Sequence, residues 1–173
     1  LIERGTMGGD CLNDGCVPSK SLLAAARAAD AIRRAGAFGI RIGPPAVDFA
    51  AVHRHVHGVI AAIAPNDSVE RFTGLGVRVI QETAQFTGPD EVVAGPHRIR
   101  ARRFVIATGS TAFVPPIPGL GETPYLTNET VFELTACPRH LIVVGGGPIG
   151  CELAQAHRRL GSDVRPGKDA AGH

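Results

Sequence analysis

The chain has 173 residues, with 18 Lys and Arg against 16 Asp and Glu and a formal net charge of +2. That length holds one ordinary domain or parts of two, and can bury roughly 70% of the unfolded surface. A content of 44% hydrophobic and 20% charged residues excludes a disordered chain; the balanced charge excludes a dedicated nucleic-acid binder, and no apolar run approaches the roughly 20 residues of a membrane helix. Gly 22 and Pro 13 imply many turns, and a single Tyr with no Trp argues against an aromatic platform for single strands. Four Cys are too few for a secreted disulfide scaffold, so a cytoplasmic protein is expected.

In chain order, Leu1-Ile2-Glu3 read as the end of a β-strand rather than a natural terminus. Gly8-Gly9-Asp10-Cys11-Leu12-Asn13-Asp14-Gly15-Cys16-Val17-Pro18-Ser19-Lys20 follows, with two Cys separated by four residues at the start of a helix. The spacing predicts that helix over 18–36, with Leu22, Ala25, Ala26, Ala29 and Ile32 on one face, Pro18 in first position and Gly36 as the stop. Asp48 caps a second helix carrying Phe49, Val52, Val56, Val59 and Ile63. Pro65 interrupts it, and Asn66-Asp67-Ser68 restart a short helix toward Gly74.

From Val77 the period changes to that of strands: 77–80, 84–87, 91–93, 97–100 and 104–106 read as an antiparallel meander and then a buried strand ending in Ala107-Thr108-Gly109. The proline-rich stretch 114–121 reads as a connector and domain boundary. A short capped helix near 130–134, a strand at 141–144 and a helix at 148–160 follow. The tail after Val164 does not continue the expected strand.

Two motifs carry chemistry. Gly145-Gly146-Gly147-Pro148-Ile149-Gly150, between an apolar strand and an amphipathic helix, is GxGxxG in its proper context. Gly145 permits the tight turn, Gly147 lets backbone approach a pyrophosphate and Gly150 allows close helix–strand packing. The helix N-terminus offers N–H groups to phosphate. The Cys11–Cys16 pair can be bridged if the chain between is coiled, and a helix start with Lys20 nearby lowers a thiol pKa. Zinc is the competing reading of the pair, but Cys137 and Cys151 are isolated and read as packing residues. His53 and His57 share a helix face while His55 points away; with no acidic or Cys neighbour in sequence, they read as a solvated helix edge, and no metal site is expected. Arg98, Arg100, Arg102 and Arg103 read as a solvated face, and Thr127 and Glu129 as a helix cap.

The motif containing Cys11 and Cys16 resembles the active-site signature of the FAD-dependent pyridine nucleotide–disulfide oxidoreductases, in their mercuric reductase and dihydrolipoamide dehydrogenase branch. The likeness spans roughly residues 1–164. It implies an α/β fold: residues 1–113 as part of a Rossmann-like FAD-binding domain with an antiparallel meander, and 114–173 as the start of a Rossmann-like NAD(P)-binding domain. It also implies that the chain is an internal, inactive piece of a homodimeric enzyme. Glu3 would hold the adenosine ribose, and Gly9, Asp10, Lys20, Ala84, Ala107, Thr108 and Gly109 would line the FAD. Gly145, Gly147, Pro148, Ile149 and Gly150 would bind NAD(P)H. Cys16 would be the charge-transfer thiolate beside the flavin and Cys11 the interchange thiol. Lys20 and Glu152 would form an ion pair near the flavin, with Lys20 buried. A disulfide or metal-ion substrate is implied. A non-catalytic dinucleotide-binding module and a zinc-binding protein remain the alternatives.

Overall fold

The computed structural model describes residues 1–167; the rest of the tail lies outside them. Its framework is a pair of short and long helices, α1 (Gly9–Asn13) and α2 (Cys16–Arg34), followed by α3 (Phe49–Ile63) and α4 (Val69–Gly74). Asp48 caps α3 as expected, its Oδ1 accepting from the Ala51 amide at 3.0 Å, and Ser68 caps α4 by accepting from the Arg71 amide at 3.1 Å. Helix α2 begins two residues before the expected start, so Pro18 occupies its third position rather than its first. The first four N–H groups of a helix lack intrahelical partners, so proline costs little at either place. The stop also shifts. A 3-10 turn at Ala35–Phe38 extends the helix through Gly36, and Gly39, at φ +78°, ends it.

One apolar core joins these helices to the end of the chain. Leu22, Leu23 and Ala26 of α2 and Phe49 and Val56 of α3 are buried together with Val131 and Phe132 of a 3-10 turn at Val131–Glu133. Ala156 and Leu160 of α5 (Pro148–Leu160) complete the cluster. Residues 131–133 form that tighter turn in place of the expected short helix; Thr127 Oγ1 still accepts from the Glu129 amide at 3.2 Å.

The strands form two separate sheets. Strands β1 (Ala84–Gly88), β2 (Glu91–Ala94) and β3 (His97–Arg100) make the expected antiparallel meander. Strands β4 (His140–Val143) and β5 (Asp163–Pro166) run parallel, with α5 as the crossover between them, a βαβ unit. Strand β5 corrects the expectation that the chain departs from a strand after Val164. Proline is tolerated at a strand end, and the next amide, of Gly167, donates to Val143 O at 2.8 Å. Ile2 and Ile80 form an isolated parallel bridge, and Leu1–Glu3, expected as a strand end, is not part of a strand among the described residues.

Two expected strands are absent. Of residues 77–80 only Ile80 pairs, and residues 104–106 form no ladder, with Val105 92% and Ile106 74% exposed instead of buried. Apolar residues favour extended backbone, but a strand needs a neighbour to accept its hydrogen bonds, and none of the described strands lies beside 104–106. The arginines of β3 are solvated as expected, with side chains 68% and 75% exposed, and they also hold an acid. Arg98 and Arg100 donate to the buried carboxylate of Glu91 at 2.6 and 2.9 Å, with Thr87 Oγ1 donating at 2.8 Å. The hydrogen bonds from Arg100 and Thr87 hold that carboxyl below its usual range.

His157 of α5 is fully buried. Its Nδ1 donates to Leu153 O at 2.9 Å, and its Nε2 has no partner among the described residues. Burial lowers its pKa, partly opposed by the Leu153 bond. The folded protein therefore holds a neutral imidazole. The associated stability is present above the unfolded value of about 6.5 and is lost as pH falls through the lower folded value. Replacing His157 by Leu should reduce the loss of thermal stability between roughly pH 7.5 and 5.5, measured by circular dichroism; an equal loss in the variant and the parent would show that the buried ring does not set it.

Candidate active site

The two cysteines sit on successive helices. Cys11 is the third residue of α1, Cys16 the first of α2, and both are free and exposed. Three backbone and side-chain bonds coil the chain between them. The Asp14 amide donates to Asp10 O at 2.9 Å, Asn13 Nδ2 donates to Gly9 O at 3.0 Å and to Met7 O at 3.2 Å. Asn128 Nδ2 reaches Asp14 O at 3.5 Å from the other end of the chain. Neither Asn stood out in the sequence; the Asn at the centre of the Cys motif was the available signal.

The thiols differ in electrostatics. A side-chain hydrogen bond with Cys16, followed by burial, raises the pKa of Cys11. Both effects favour the protonated form of Cys11. Cys16 lies in the first turn of a 19-residue helix, at the positive end of the helix dipole.

One turn further along α2, Lys20 Nζ donates to both carboxylate oxygens of Glu152, at 2.8 and 2.7 Å. Glu152 lies in the first turns of α5, directly after the glycine turn. The pair joins residues 132 positions apart and links α2 to α5. The Lys20 side chain is 60% exposed and that of Glu152 39%, which corrects the expectation of a buried lysine. Lys20 lies on the outer side of α2, opposite the buried Leu22 and Ala29. A surface pair of this kind contributes only about 0–1 kcal/mol to stability, so its effect is to position the two helices' ends.

The flavin residues expected from the sequence converge in part. Asp10 Oδ2 accepts from the Ser110 amide at 2.9 Å, which brings the Cys motif against Ala107-Thr108-Gly109. Gly109 has φ +68°, and a Cβ there would overlap the Asp10 carboxylate. Ala107, Thr108 and Gly109 are exposed, as is Gly9. Glu3 Oε1 accepts from the Gly5 amide at 2.8 Å, and Ala84 opens β1 opposite Ala94; neither joins the Asp10–Ser110 cluster through a hydrogen bond among the described residues.

The glycine turn has the geometry its spacing predicts. Gly145 takes φ +108°, and a Cβ on Gly150 would collide with the Gly145 carbonyl oxygen, so helix and turn touch only because both are glycine. Gly147, Pro148 and Ile149 open α5, and nothing lies within 4 Å of a Cβ built on Gly147. A cleft of about 560 Å³ opens here, lined by Gly145, Gly146, Gly150, Cys151 and Arg158 among others. Cys151 is exposed, its Sγ donating to Gly146 O at 3.4 Å, and is not the packing residue expected; Cys137, half-buried beside Ser162, is.

The family model for pyridine nucleotide-disulphide oxidoreductases matches residues 1–166. The chain belongs to this family. A mercuric reductase of Streptomyces lividans is 41% identical over 170 residues, covering 95% of this chain and 36% of the relative. A dihydrolipoyl dehydrogenase of Chlamydia trachomatis is 34% identical over 174 residues, with 95% and 36% covered. The HOCl-induced flavoprotein disulfide reductase RclA of Escherichia coli superposes with a TM-score of 0.79 at 27% identity, over 96% of this chain and 35% of that one. The chain thus spans about a third of the length of these proteins.

Pyridine nucleotide-disulphide oxidoreductases use FAD and NAD(P)H, and the residues present fit both. The open space beside Gly147 and the Ile149 and Gly150 amides, which have no partner among the described residues, suit a pyrophosphate. The exposed backbone at Gly9 and Gly109, held together by Asp10, suits a flavin placed against the α2 start.

In the reduced protein, the rate of Cys11 alkylation by iodoacetamide, followed by peptide mass spectrometry, should rise through a midpoint above the ordinary thiol range. Cys16→Ala should bring that midpoint down, since it removes the main cause of the shift. A midpoint unmoved by Cys16→Ala would contradict the coupling of the two sulfurs.

Proposed function

We propose that the protein is part of a flavoprotein oxidoreductase that passes electrons from NAD(P)H through FAD to a Cys11–Cys16 disulfide, and from the resulting dithiol to a disulfide or metal-ion substrate. The observation that carries this reading is the bidentate Lys20–Glu152 contact, which ties the cysteine-bearing end of α2 to the glycine-turn end of α5. It supports a site in which the dithiol and a nicotinamide approach one flavin. Residues 1–113 would form part of the FAD-binding domain and 114–173 the start of the NAD(P)-binding domain, each Rossmann-like, within a homodimeric cytoplasmic enzyme. Relatives named mercuric reductase and dihydrolipoyl dehydrogenase support the two substrate classes.

Each residue then has a role. Glu3 holds ribose hydroxyls, while Gly9, Asp10, Ala84, Ala107, Thr108 and Gly109 line the FAD. Gly145, Gly147, Pro148, Ile149 and Gly150 receive the nucleotide pyrophosphate. FAD, when bound, accepts a hydride from NAD(P)H and delivers two electrons to the disulfide. Cys16 stays against the flavin as the thiolate. Cys11 attacks a substrate sulfur, breaking the substrate S–S bond and forming a mixed disulfide, and its proton passes to the departing substrate thiol. Cys16 then attacks Cys11, closing the protein disulfide and releasing the second thiol. With a metal ion, the two thiolates are ligands, and soft metals suit them.

In the full-length protein reduced by two electrons, Cys11→Ser should retain a long-wavelength thiolate–flavin band but lose substrate reduction. Cys16→Ser should lose the band. Loss of the band in Cys11→Ser and its survival in Cys16→Ser would reverse the roles; no band in the parent protein would overturn the reading.

A further inference from the structure

Helix α3 carries His53 and His57 one turn apart, with ring centroids 4.2 Å from each other. The acidic partner missing from their sequence neighbourhood arrives from elsewhere. Glu133, the last residue of the 3-10 turn at Val131–Glu133, places Oε1 3.6 Å from His57 Nε2. A donor atom from each of His53, His57 and Glu133 lies within 4.8 Å of the others. We propose that these three side chains form a binding site for a borderline divalent transition-metal ion of the zinc class.

The ligand chemistry selects the ion. Two imidazoles and one carboxylate suit zinc, copper(II) or nickel(II), while all-oxygen cations such as magnesium and calcium prefer other donors. Zinc sits about 2.0–2.2 Å from such ligands, so donors of a tetrahedral site are about 3.4 Å apart. The His57–Glu133 separation of 3.6 Å already meets that spacing. Closing the remaining gap needs only rotation of side chains that have room: His53 and His57 are half-buried and Glu133 is exposed.

The backbones that carry the ligands are held rigidly. Val56 of α3 and Val131 and Phe132 of the turn are buried in the same core cluster, so the helix and the turn cannot drift apart. His57 Nε2 lies 3.3 Å from Phe132 O, a contact this nitrogen gives up when it turns a lone pair on the ion. Three protein ligands leave one position for water. A bound ion would clamp α3 to residues 131–133 and stabilise the fold by mass action. The site is independent of the proposed electron transfer.

The test uses the full-length protein in a Cys11→Ser/Cys16→Ser background, so that the exposed dithiol does not bind the probe. Equilibrium dialysis against zinc ion, with metal analysis, should find one zinc per chain lost on adding His57→Ala or Glu133→Gln, with affinity at least tenfold weaker. Glu133 is exposed and Gln is isosteric, so the second variant reads the ligand without disturbing the core. His55→Ala, two residues away on another face, should keep the zinc. Zinc should also raise the unfolding temperature only where the three ligands are intact. Absence of zinc binding in the background protein would overturn the proposal, as would unchanged binding in Glu133→Gln.

Discussion

The contact between α2 and α5 is the constraint on which the rest of the molecule depends. Ala26 and Ala156, both fully buried, lie in the core that these helices share with α3. Small side chains let helix backbones approach closely, so a bulkier residue at either place would overpack the interface and displace both N-termini. Those N-termini carry Cys16 and Lys20 on one helix and the glycine turn and Glu152 on the other. Apolar packing thereby fixes where the polar chemistry happens, and the exposed Lys20–Glu152 pair adds register rather than stability.

Local electrostatics then divides the labour between two identical side chains. Cys11 and Cys16 have the same intrinsic chemistry and similar exposure. Position separates them. One begins a 19-residue helix; the other lies in a five-residue helix, where the neighbouring Cys16 and burial raise its pKa.

Much of this was legible in the sequence because the signals were local. The glycine spacing at 145–150, the Asp48 cap, the limits of α5 and the meander all depend on neighbours within a few residues, and the structure has them. What was not legible depends on distant parts of the chain. Residues 104–106 have strand composition but no strand to pair with among the described residues, so Val105 and Ile106 are exposed. Strand β5 holds despite Pro166 because β4 supplies its partner. The pairing of the exposed Arg98 and Arg100 with Glu91 follows from the register of β2 against β3. His53 and His57 had no acidic neighbour in sequence, and Glu133 reaches them only through the core beneath it. Asp10 and Ser110 meet across 100 residues, which spacing alone could not show.

The central claim is that α2 and α5 are joined so that a nicotinamide, a flavin and the dithiol work in line. The most direct measurement is the rate of flavin reduction by NAD(P)H in the full-length protein, followed by stopped-flow absorbance, in the parent and in Glu152→Gln. The result expected is a slower flavin reduction in the variant, a smaller change in NAD(P)H affinity, and an unfolding free energy within about 1 kcal/mol of the parent. Unchanged flavin reduction in a folded Glu152→Gln protein would contradict the claim.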